Sequence, residues 1–250
     1  MQLQKKHWSY QLVIVIGILI SMSFAFTRPG ANTLKKTAVA AATTVSNARS
    51  FVAEKIGLYD SLGLASKGLS REAFEYALSG YDRLATGGKL LKEGILSILD
   101  FTQSSGKKRL FVIDLQSGEL VFNTYAAHGR GSGTDMAKEF SNKANSNKSS
   151  LGFYVTGETY IGKHGESLRL NGEEKGFNDN ALARGIVMHS AAYADENIVA
   201  TQGYIGRSQG CPALPQNLSK DIITKLKNGT CLFLYSPDKN YLTHSPILNS

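Results

Sequence analysis

The hydrophobic pattern of the chain changes its period at about residue 109. Before that point, apolar residues recur every three or four positions, a spacing that places them on one face of a helix. One set follows Ser70, a residue type that favours helix starts, and comprises Phe74, Ala77, Leu78 and Tyr81. A second set comprises Leu90, Leu91, Ile95 and Leu99. The pattern therefore predicts two or three short helices over residues 46–99.

From Arg109 onward the pattern is typical of strands. The predicted strands are residues 110–115, 120–126, 152–156, 168–170, 185–189 and 231–235. A late helix is predicted over residues 217–227, with Gly229 as its stop. Residues 129–150 are rich in Gly, Ser, Asn and Lys, which indicates a long loop of the kind that often has a function. We expect an α+β fold, with short N-terminal helices followed by a mainly β domain.

The N-terminus has the pattern of an export signal. Lys5 and Lys6 precede residues 7–27, which contain no fully charged side chain. The segment is also long enough to cross a bilayer, so residues 8–27 could remain as a membrane anchor. The small residues Ser23 and Ala25 fit a cleavage site and favour removal. We expect an extracytoplasmic protein, in the periplasm, that is soluble or tethered to the inner membrane.

Composition and charge narrow the class of protein. Hydrophobic residues make up 42% and charged residues 19%, which is ordinary for a globular protein and excludes bulk disorder. There are 28 Lys and Arg against 20 Asp and Glu, for a formal charge of +8. This charge favours an anionic lipid, a polyanion or an acidic polymer, without choosing among them.

Two cysteines in an exported chain would ordinarily form a disulfide. Their surroundings differ, however. Cys231 lies in an apolar run, whereas Cys211 lies in a polar, turn-rich loop that contains Gly210 and Pro212. The contrast indicates one buried thiol and one exposed, reactive thiol.

His189 and Cys211 are the candidates for catalysis. His189 ends an apolar strand, and Cys211 follows 22 residues later between Gly210 and Pro212. A thiol of ordinary pKa is mostly protonated at neutral pH, so it needs a nearby imidazole to accept its proton. Small residues at Ser208 and Gly210 allow a sharp turn that directs amide N–H groups at an acyl oxygen. On spacing alone, a His and Cys pair is also compatible with a structural histidine.

The complete stretch resembles the His...Ser-x-Gly-Cys signature of the YkuD-like L,D-transpeptidases of bacterial cell walls. The resemblance covers about residues 70–241 and is closest to the murein L,D-transpeptidase branch. The matching blocks are Lys108-Arg-Leu-Phe-Val-Ile-Asp114, Phe122-Asn123, Ala127-His-Gly-Arg130, Ser149-Ser-Leu-Gly-Phe-Tyr154, Thr156-Gly-Glu-Thr-Tyr160, Gly162-Lys-His-Gly165 and Asn178-Asp-Asn-Ala181. Many blocks in the same order make the resemblance specific.

The resemblance implies a transfer reaction on peptidoglycan stem peptides. Cys211 would attack the carbonyl of the diamino-acid residue of a tetrapeptide, release the terminal D-amino acid and leave a thioester, which an amine of a second stem resolves. His189 would be the general base. The amides of Gly210 and Cys211 would form the oxyanion hole, with Ser208 shaping the loop. A backbone carbonyl would orient His189, so no acidic third member is expected.

Other residues are candidates for binding the substrate. The chain lacks the Arg that the better-known branch has shortly after the cysteine, so Arg207 is a candidate for a carboxylate contact, with loop bracing as the alternative. His128, His164 and Tyr193 are further candidates to border the substrate. No paired ligand spacing such as Cys-x-x-Cys is present, so we expect no metal. We also expect a monomer with no cofactor and no nucleic-acid partner.

These assignments divide the chain into four parts. Residues 1–27 are a signal peptide or N-terminal anchor, and residues 28–104 are a tether with a helical N-terminal region. Residues 105–242 are the catalytic domain, and residues 243–250 are a tail.

Two alternatives remain open at this stage, and a third, a sortase, is disfavoured. An L,D-carboxypeptidase would resolve the same thioester with water. A sortase would require an Arg on the strand after the cysteine, and residues 231–235 contain none. A non-enzymatic wall-binding module would have Cys211 and Cys231 in a disulfide and His189 as a structural residue.

Overall fold

The computed structural model describes residues 50–249. The predicted export segment, the anchor through residues 8–27 and the start of the tether lie outside the described residues. Among the described helices, none reaches the length and apolar content that a bilayer span needs.

Eight strands of the described chain form a mixed sheet. They are β1 (Ile95–Asp100), β2 (Leu110–Asp114), β3 (Glu119–Thr124), β4 (Gly152–Gly162), β5 (Gly165–Gly172), β6 (Val187–Ser190), β7 (Ala213–Leu214) and β8 (Cys231–Tyr235). The helices are α1 (Leu58–Ser61), α2 (Arg71–Thr86), α3 (Glu196–Gln202), α4 (Gln216–Leu226) and α5 (Lys239–His244). A short 3-10 helix spans Ala192–Ala194, and residues 50–55 are also helical.

The strand order is β3-β2-β1-β8-β4-β5-β6-β7. The pairs β1–β8 and β6–β7 are parallel, and the other neighbours are antiparallel. Helix α2 packs on β1 and β8, while α4 packs on β5 and β6. This arrangement confirms the α+β prediction.

Helix α2 begins as the sequence predicts. Ser70 caps it by accepting a hydrogen bond from the Ala73 N–H at 3.1 Å. The predicted apolar face, including Phe74 and Leu78, is buried. Gly80 allows this face to approach the sheet, because a Cβ there would lie 2.0 Å from Cζ of Phe153.

The second predicted helix, with Leu90, Leu91, Ile95 and Leu99 on one face, is wrong: residues 89–94 are not helical. The segment Ile95–Asp100 is strand β1, which is hydrogen-bonded on both sides, to β2 and to β8. All six residues of β1 are buried, so the strand has no alternation of apolar and polar positions. Such a strand cannot be distinguished from a buried helix by its period. The helices of the N-terminal region therefore end at Thr86.

The other predicted elements are found, most of them with shifted ends. Strand β8 matches its prediction at both ends, whereas β4 and β5 are longer than predicted and form a hairpin around residues 163 and 164. Helices α3 and α5 and strand β7 were not predicted. Residues of the predicted tail are packed, since the Ser245 hydroxyl donates to the buried carboxylate of Glu174.

Candidate active site

A cleft of about 660 Å³ lies beside strands β5 and β6. Its volume is in the range of small-ligand sites, ~300–1,000 Å³. His189 and Cys211 both line it, as do His164, Tyr193, Arg207 and Ser208. The structure therefore brings six of the eight predicted site residues to one cleft.

Parallel pairing of β6 with β7 places the two candidate catalytic residues near each other. His189 is the register partner of Ala213, and the His189 N–H donates to the Pro212 carbonyl at 3.3 Å. Cys211 immediately precedes this pairing. The thiol extends along β6, where Cys211 Sγ accepts a hydrogen bond from the Val187 N–H at 3.5 Å.

His189 has the tautomer of a general base. Its Nδ1 lies 2.8 Å from the Ser190 carbonyl, so Nδ1–H donates to this oxygen and Nε2 keeps its lone pair. The ring is buried. Burial lowers the pKa of His189, the nearby His164 and Lys163 lower it further, and the carbonyl hydrogen bond partly opposes them. The neutral imidazole, which can accept a proton, is therefore favoured. A backbone carbonyl orients the ring, as the family resemblance implies.

Cys211 is partly exposed, and its surroundings favour the protonated thiol. Burial raises its pKa, while the Val187 N–H and the positive charges of Arg184 and Lys163 oppose this shift. Its Sγ also lies 3.7 Å from the Gly185 carbonyl, which can accept the thiol proton in a weak hydrogen bond. No direct hydrogen bond joins Cys211 and His189 within residues 50–249. Proton transfer between them requires a side-chain rotation or one intervening water when substrate binds.

The loop before the cysteine is closed by Ser208. Its hydroxyl donates to the Cys211 carbonyl at 2.6 Å and accepts from the Gly210 N–H at 3.0 Å. The Gly210 amide is thus used inside the loop, which differs from its predicted place in the oxyanion hole. The Cys211 N–H, by contrast, has no hydrogen-bond acceptor in the described part of the chain.

The backbone conformation and the close packing at position 210 require glycine. Its φ is +126°, in the region that favours glycine, and a Cβ would lie 2.9 Å from the Lys148 carbonyl oxygen. Two residues that follow β3, His128 and Arg130, form backbone hydrogen bonds with the same loop. The Ser208 N–H donates to the His128 carbonyl at 2.9 Å, and the Arg130 N–H donates to the Ser208 carbonyl at 2.8 Å.

His128 is a correction to the predicted site. It is 0% exposed and does not line the cleft. Its Nδ1 accepts from Arg109 at 2.7 Å, and its Nε2 donates to the Gly133 carbonyl at 3.2 Å. Burial and the positive charge of Arg109 lower the pKa of His128 to about 4. Both ring nitrogens are used within the protein, so His128 braces the loop and cannot contact substrate from this position.

Tyr193 and Arg207 line the cleft as predicted. The Tyr193 carbonyl accepts from the Gly206 N–H at 2.7 Å, so this residue also holds the loop that leads to Cys211. Burial, with the neighbouring Cys211, raises the pKa of Tyr193 to about 12. Arg207 is exposed and donates to the Gly133 carbonyl at 3.2 Å. This contact fits loop bracing and leaves most of its guanidinium donors available.

Arg184 is a site residue that sequence reasoning missed. Its guanidinium lines the cleft and donates to the carbonyls of Ser141 at 2.8 Å and Lys148 at 2.7 Å. These bonds join the long loop over residues 129–150 to the segment that precedes β6. The sequence places Arg184 in a polar turn with no motif of its own, so only the nearby Asn178-Asp-Asn-Ala181 block, which ends three residues earlier, pointed to this region.

The cleft is positively charged. Four cationic side chains line it, namely Arg130, Lys163, Arg184 and Arg207, and no Asp or Glu does. None of the four forms an ion pair with a carboxylate of the described residues. Such a cleft attracts an anionic ligand.

Both cysteines are free, which excludes the disulfide reading for this structure. Cys231 is fully buried in β8, in agreement with the expected core position. Within residues 50–249, no three His, Cys, Asp or Glu side chains are grouped as a metal site requires.

The chain is similar to known proteins in sequence and in fold. A sequence model described as the L,D-transpeptidase catalytic domain matches residues 65–235. No curated protein matches the chain. Similar solved structures include an L,D-transpeptidase from Mycobacterium smegmatis, with 14% identity over 57% of this chain and 59% of that chain and a TM-score of 0.37.

Two further structures span different shares of their own chains. An L,D-transpeptidase from Stackebrandtia nassauensis has 15% identity over 74% of this chain and 78% of that chain, with a TM-score of 0.35. The helical cell shape determining protein Pgp2 from Campylobacter jejuni has 16% identity over 64% of this chain and 57% of that chain, with a TM-score of 0.37. The chain thus spans less than two thirds of the Mycobacterium and Campylobacter structures.

Proposed function

Because the chain belongs to the family of L,D-transpeptidase catalytic domains, we propose that it cross-links peptidoglycan stem peptides through a thioester on Cys211. The observation that carries this proposal is the common cleft of Cys211 and His189, which parallel pairing of β6 with β7 creates. The nucleophile and the base come from separate segments, so the fold itself assembles the pair.

The proposed reaction has two stages. His189 Nε2 accepts the thiol proton, and Cys211 Sγ attacks the carbonyl of the diamino-acid residue of a tetrapeptide stem. The carbonyl oxygen becomes negative and is stabilised by the Cys211 N–H. Collapse of this intermediate breaks the peptide bond, and the imidazolium returns its proton to the leaving D-amino acid. An amine of a second stem then attacks the thioester and releases the cysteine.

The charge of the cleft supports this substrate class. A stem peptide has a C-terminal carboxylate and further side carboxylates, and the cleft has four cations without a carboxylate. We assign Arg207 and Arg130 to substrate carboxylates because both are exposed and neither is paired with an acidic group. This substrate implies an extracytoplasmic site of action, which we propose to be the periplasm.

The test is mass analysis of the protein and of its products with a tetrapeptide donor and an amine acceptor. Wild-type protein should gain the mass of the acylating tripeptide on Cys211 and release the D-amino acid. The C211A variant should form no adduct and no product. C231A is the matched control: it should lose ~1 kcal/mol of stability, the scale of one deleted core methylene, and keep its turnover.

His189→Ala separates the base from the nucleophile. Loss of the base should reduce acylation by about 10²-fold or more, whereas thioester formation at the wild-type rate would remove His189 from this role. Release of the D-amino acid without a cross-linked product would identify an L,D-carboxypeptidase. Turnover by C211A would overturn the proposal.

A further inference from the structure

The hydroxyl of Ser149 connects the catalytic loop to the segment beside it. Ser149 is 1% exposed and donates its Oγ–H to the Gly210 carbonyl at 3.1 Å. The same oxygen accepts from the Gly129 N–H at 3.0 Å, and the Ser149 N–H donates to Ser132 Oγ at 2.9 Å. These bonds fix the direction of the hydroxyl, because its acceptor and its donor lie on different segments.

The Gly210 carbonyl and the Cys211 N–H belong to one peptide unit. In a trans peptide the C=O and the N–H point in opposite directions, and the described chain contains no cis peptide bond. Ser149 holds the carbonyl oxygen, so it also fixes the direction of the Cys211 N–H. This N–H has no acceptor among the described residues, whereas the neighbouring Gly210 N–H is taken by Ser208.

The loop needs such a constraint at this position. Gly210 has φ at +126°, and glycine has the widest range of backbone angles of any residue. Without a contact on its carbonyl, the peptide between Gly210 and Cys211 could rotate. The Ser208 hydroxyl does not prevent this rotation, because it bonds to the Gly210 N–H and the Cys211 carbonyl, which belong to the two adjacent peptides.

We propose that Ser149 is a positioning residue that points the Cys211 N–H at the carbonyl oxygen of the substrate as that oxygen becomes negative. The inference rests on the proposed function, in which Cys211 Sγ is the nucleophile. During acylation, sulfur forms a bond to the carbonyl carbon and an electron pair moves onto oxygen. The pair returns when the leaving group departs, with the thiol proton passing through His189. Only the oxyanion stage uses the amide.

Two reagents with the same nucleophile isolate this stage. The ester p-nitrophenyl acetate acylates a thiolate through an oxyanion and releases p-nitrophenol. Iodoacetamide alkylates the same sulfur by direct displacement of iodide, with no oxyanion. The ratio of the two rate constants cancels changes in thiol pKa and access, so it reports the oxyanion site alone.

S149A should lower the ratio of acylation to alkylation by about 10–100-fold, since loss of one donor from an oxyanion hole costs ~10²–10³. The matched control is S97A, because Ser97 is buried in β1 and its hydroxyl has no hydrogen-bond partner among residues 50–249. Its ratio should equal that of wild type. An unchanged ratio in S149A would overturn the inference even while wild-type acylation upholds the thioester mechanism. Absence of wild-type acylation would instead refute the proposed function.

A second variant guards against a folding defect in S149A. Ser149→Thr keeps the hydroxyl, so its ratio should stay within about threefold of wild type. A ratio in S149T as low as in S149A would show that the volume of the side chain, and not its hydrogen bond, determines the effect, and would also overturn the inference.

Discussion

The imidazole rings of His164 and His189 stack with their centroids 4.3 Å apart and their planes inclined by 20°. His164 lies in the turn between β4 and β5, whereas His189 lies on β6. The contact therefore connects the tip of the hairpin to the proposed general base. A positive charge on one ring disfavours a positive charge on the other, so the stack favours the neutral form of His189.

His164→Ala should raise the pKa of His189. In the wild-type protein burial is the main cause that lowers this pKa, and His164 and Lys163 lower it further. Removal of the His164 ring exposes His189 to water and removes a repelling charge, and both changes favour the imidazolium. Because the neutral base is the active form, the acid limb of kcat/KM for a tetrapeptide should move to higher pH.

His164→Phe is the matched control for this shift, since it keeps an aromatic ring and removes only the charge. Its acid limb should lie between those of wild type and H164A. A pH profile of H164A that coincides with that of wild type, or lies at lower pH, would show that the stacked ring does not act on His189.

The contact between His164 and His189 could not be predicted from the sequence. The pattern predicts β4 only over residues 152–156, because Gly157 and Glu158 interrupt the apolar run. In the structure the strand continues to Gly162 across a register shift after Thr156. The position of His164 over His189 depends on this extra length and on the order β5-β6, neither of which a single sequence contains.

The sequence predicted an element correctly where its hydrophobic pattern matches its burial in the fold. Strand β8 is a continuous apolar run that is buried throughout, and α2 combines a capping serine with a regular apolar face. The prediction failed for strand β1, which is equally apolar, because Leu91, Ile95 and Leu99 also fit helical spacing. The pairing of His189 with Cys211 came from family resemblance, since spacing alone allowed a structural histidine.

The cations of the cleft should select for free carboxylates on the stem peptide. The test compares two tetrapeptides that differ only in side carboxylates or carboxamides. An exposed charge pair contributes ~0.2–1 kcal/mol, or up to about fivefold in kcat/KM. R130Q and R207Q should each reduce the preference for the acid peptide by this amount, and the double variant should reduce it further.

Salt provides the control for the same prediction. Turnover of the acid peptide should fall with ionic strength more steeply than turnover of the amidated peptide, because exposed charges are screened. As a surface control, K67Q changes an exposed lysine that does not line the cleft and should leave the preference unchanged. Equal preference in wild type and in the double variant would contradict the role of Arg130 and Arg207.

Gly210→Ala should damage both stability and acylation. A Cβ at this position adopts a disfavoured φ and approaches the Lys148 carbonyl oxygen to 2.9 Å. We expect ~1–3 kcal/mol of lost stability and a loss of acylation of ~100-fold or more, because the turn carries the Cys211 amide. Urea unfolding and the rate of p-nitrophenol release measure the two effects.

Gly176→Ala is the matched control for Gly210. Its φ is +86°, but a Cβ there would meet nothing within 4 Å. The variant should therefore lose stability through backbone strain alone and keep its acylation rate. Loss of acylation in G176A equal to that in G210A would show that the effect follows global stability and not the geometry of the loop.

Glu174 makes the stability of the fold depend on pH. Its buried carboxylate accepts hydrogen bonds from the Phe153 N–H at 2.7 Å and the Tyr241 hydroxyl at 2.9 Å, and also from Ser245. Burial raises its pKa above the ordinary 4.5, and these hydrogen bonds oppose the shift without cancelling it. Between 4.5 and the raised value, the folded state therefore binds more protons than the unfolded state.

Glu174→Gln should remove this dependence. The contribution of Glu174 to the free energy of unfolding is fully present below 4.5 and falls as pH rises through the raised pKa. The difference between wild type and E174Q, measured by urea unfolding over a pH series, should consequently decrease from pH 4.5 up to the raised pKa and then stay constant. E174Q itself should cost ~1–3 kcal/mol at low pH, because an NH2 group, which cannot accept a hydrogen bond, replaces one oxygen of the protonated carboxyl. A difference that grows with pH would mean that hydrogen bonds to the carboxylate outweigh its burial.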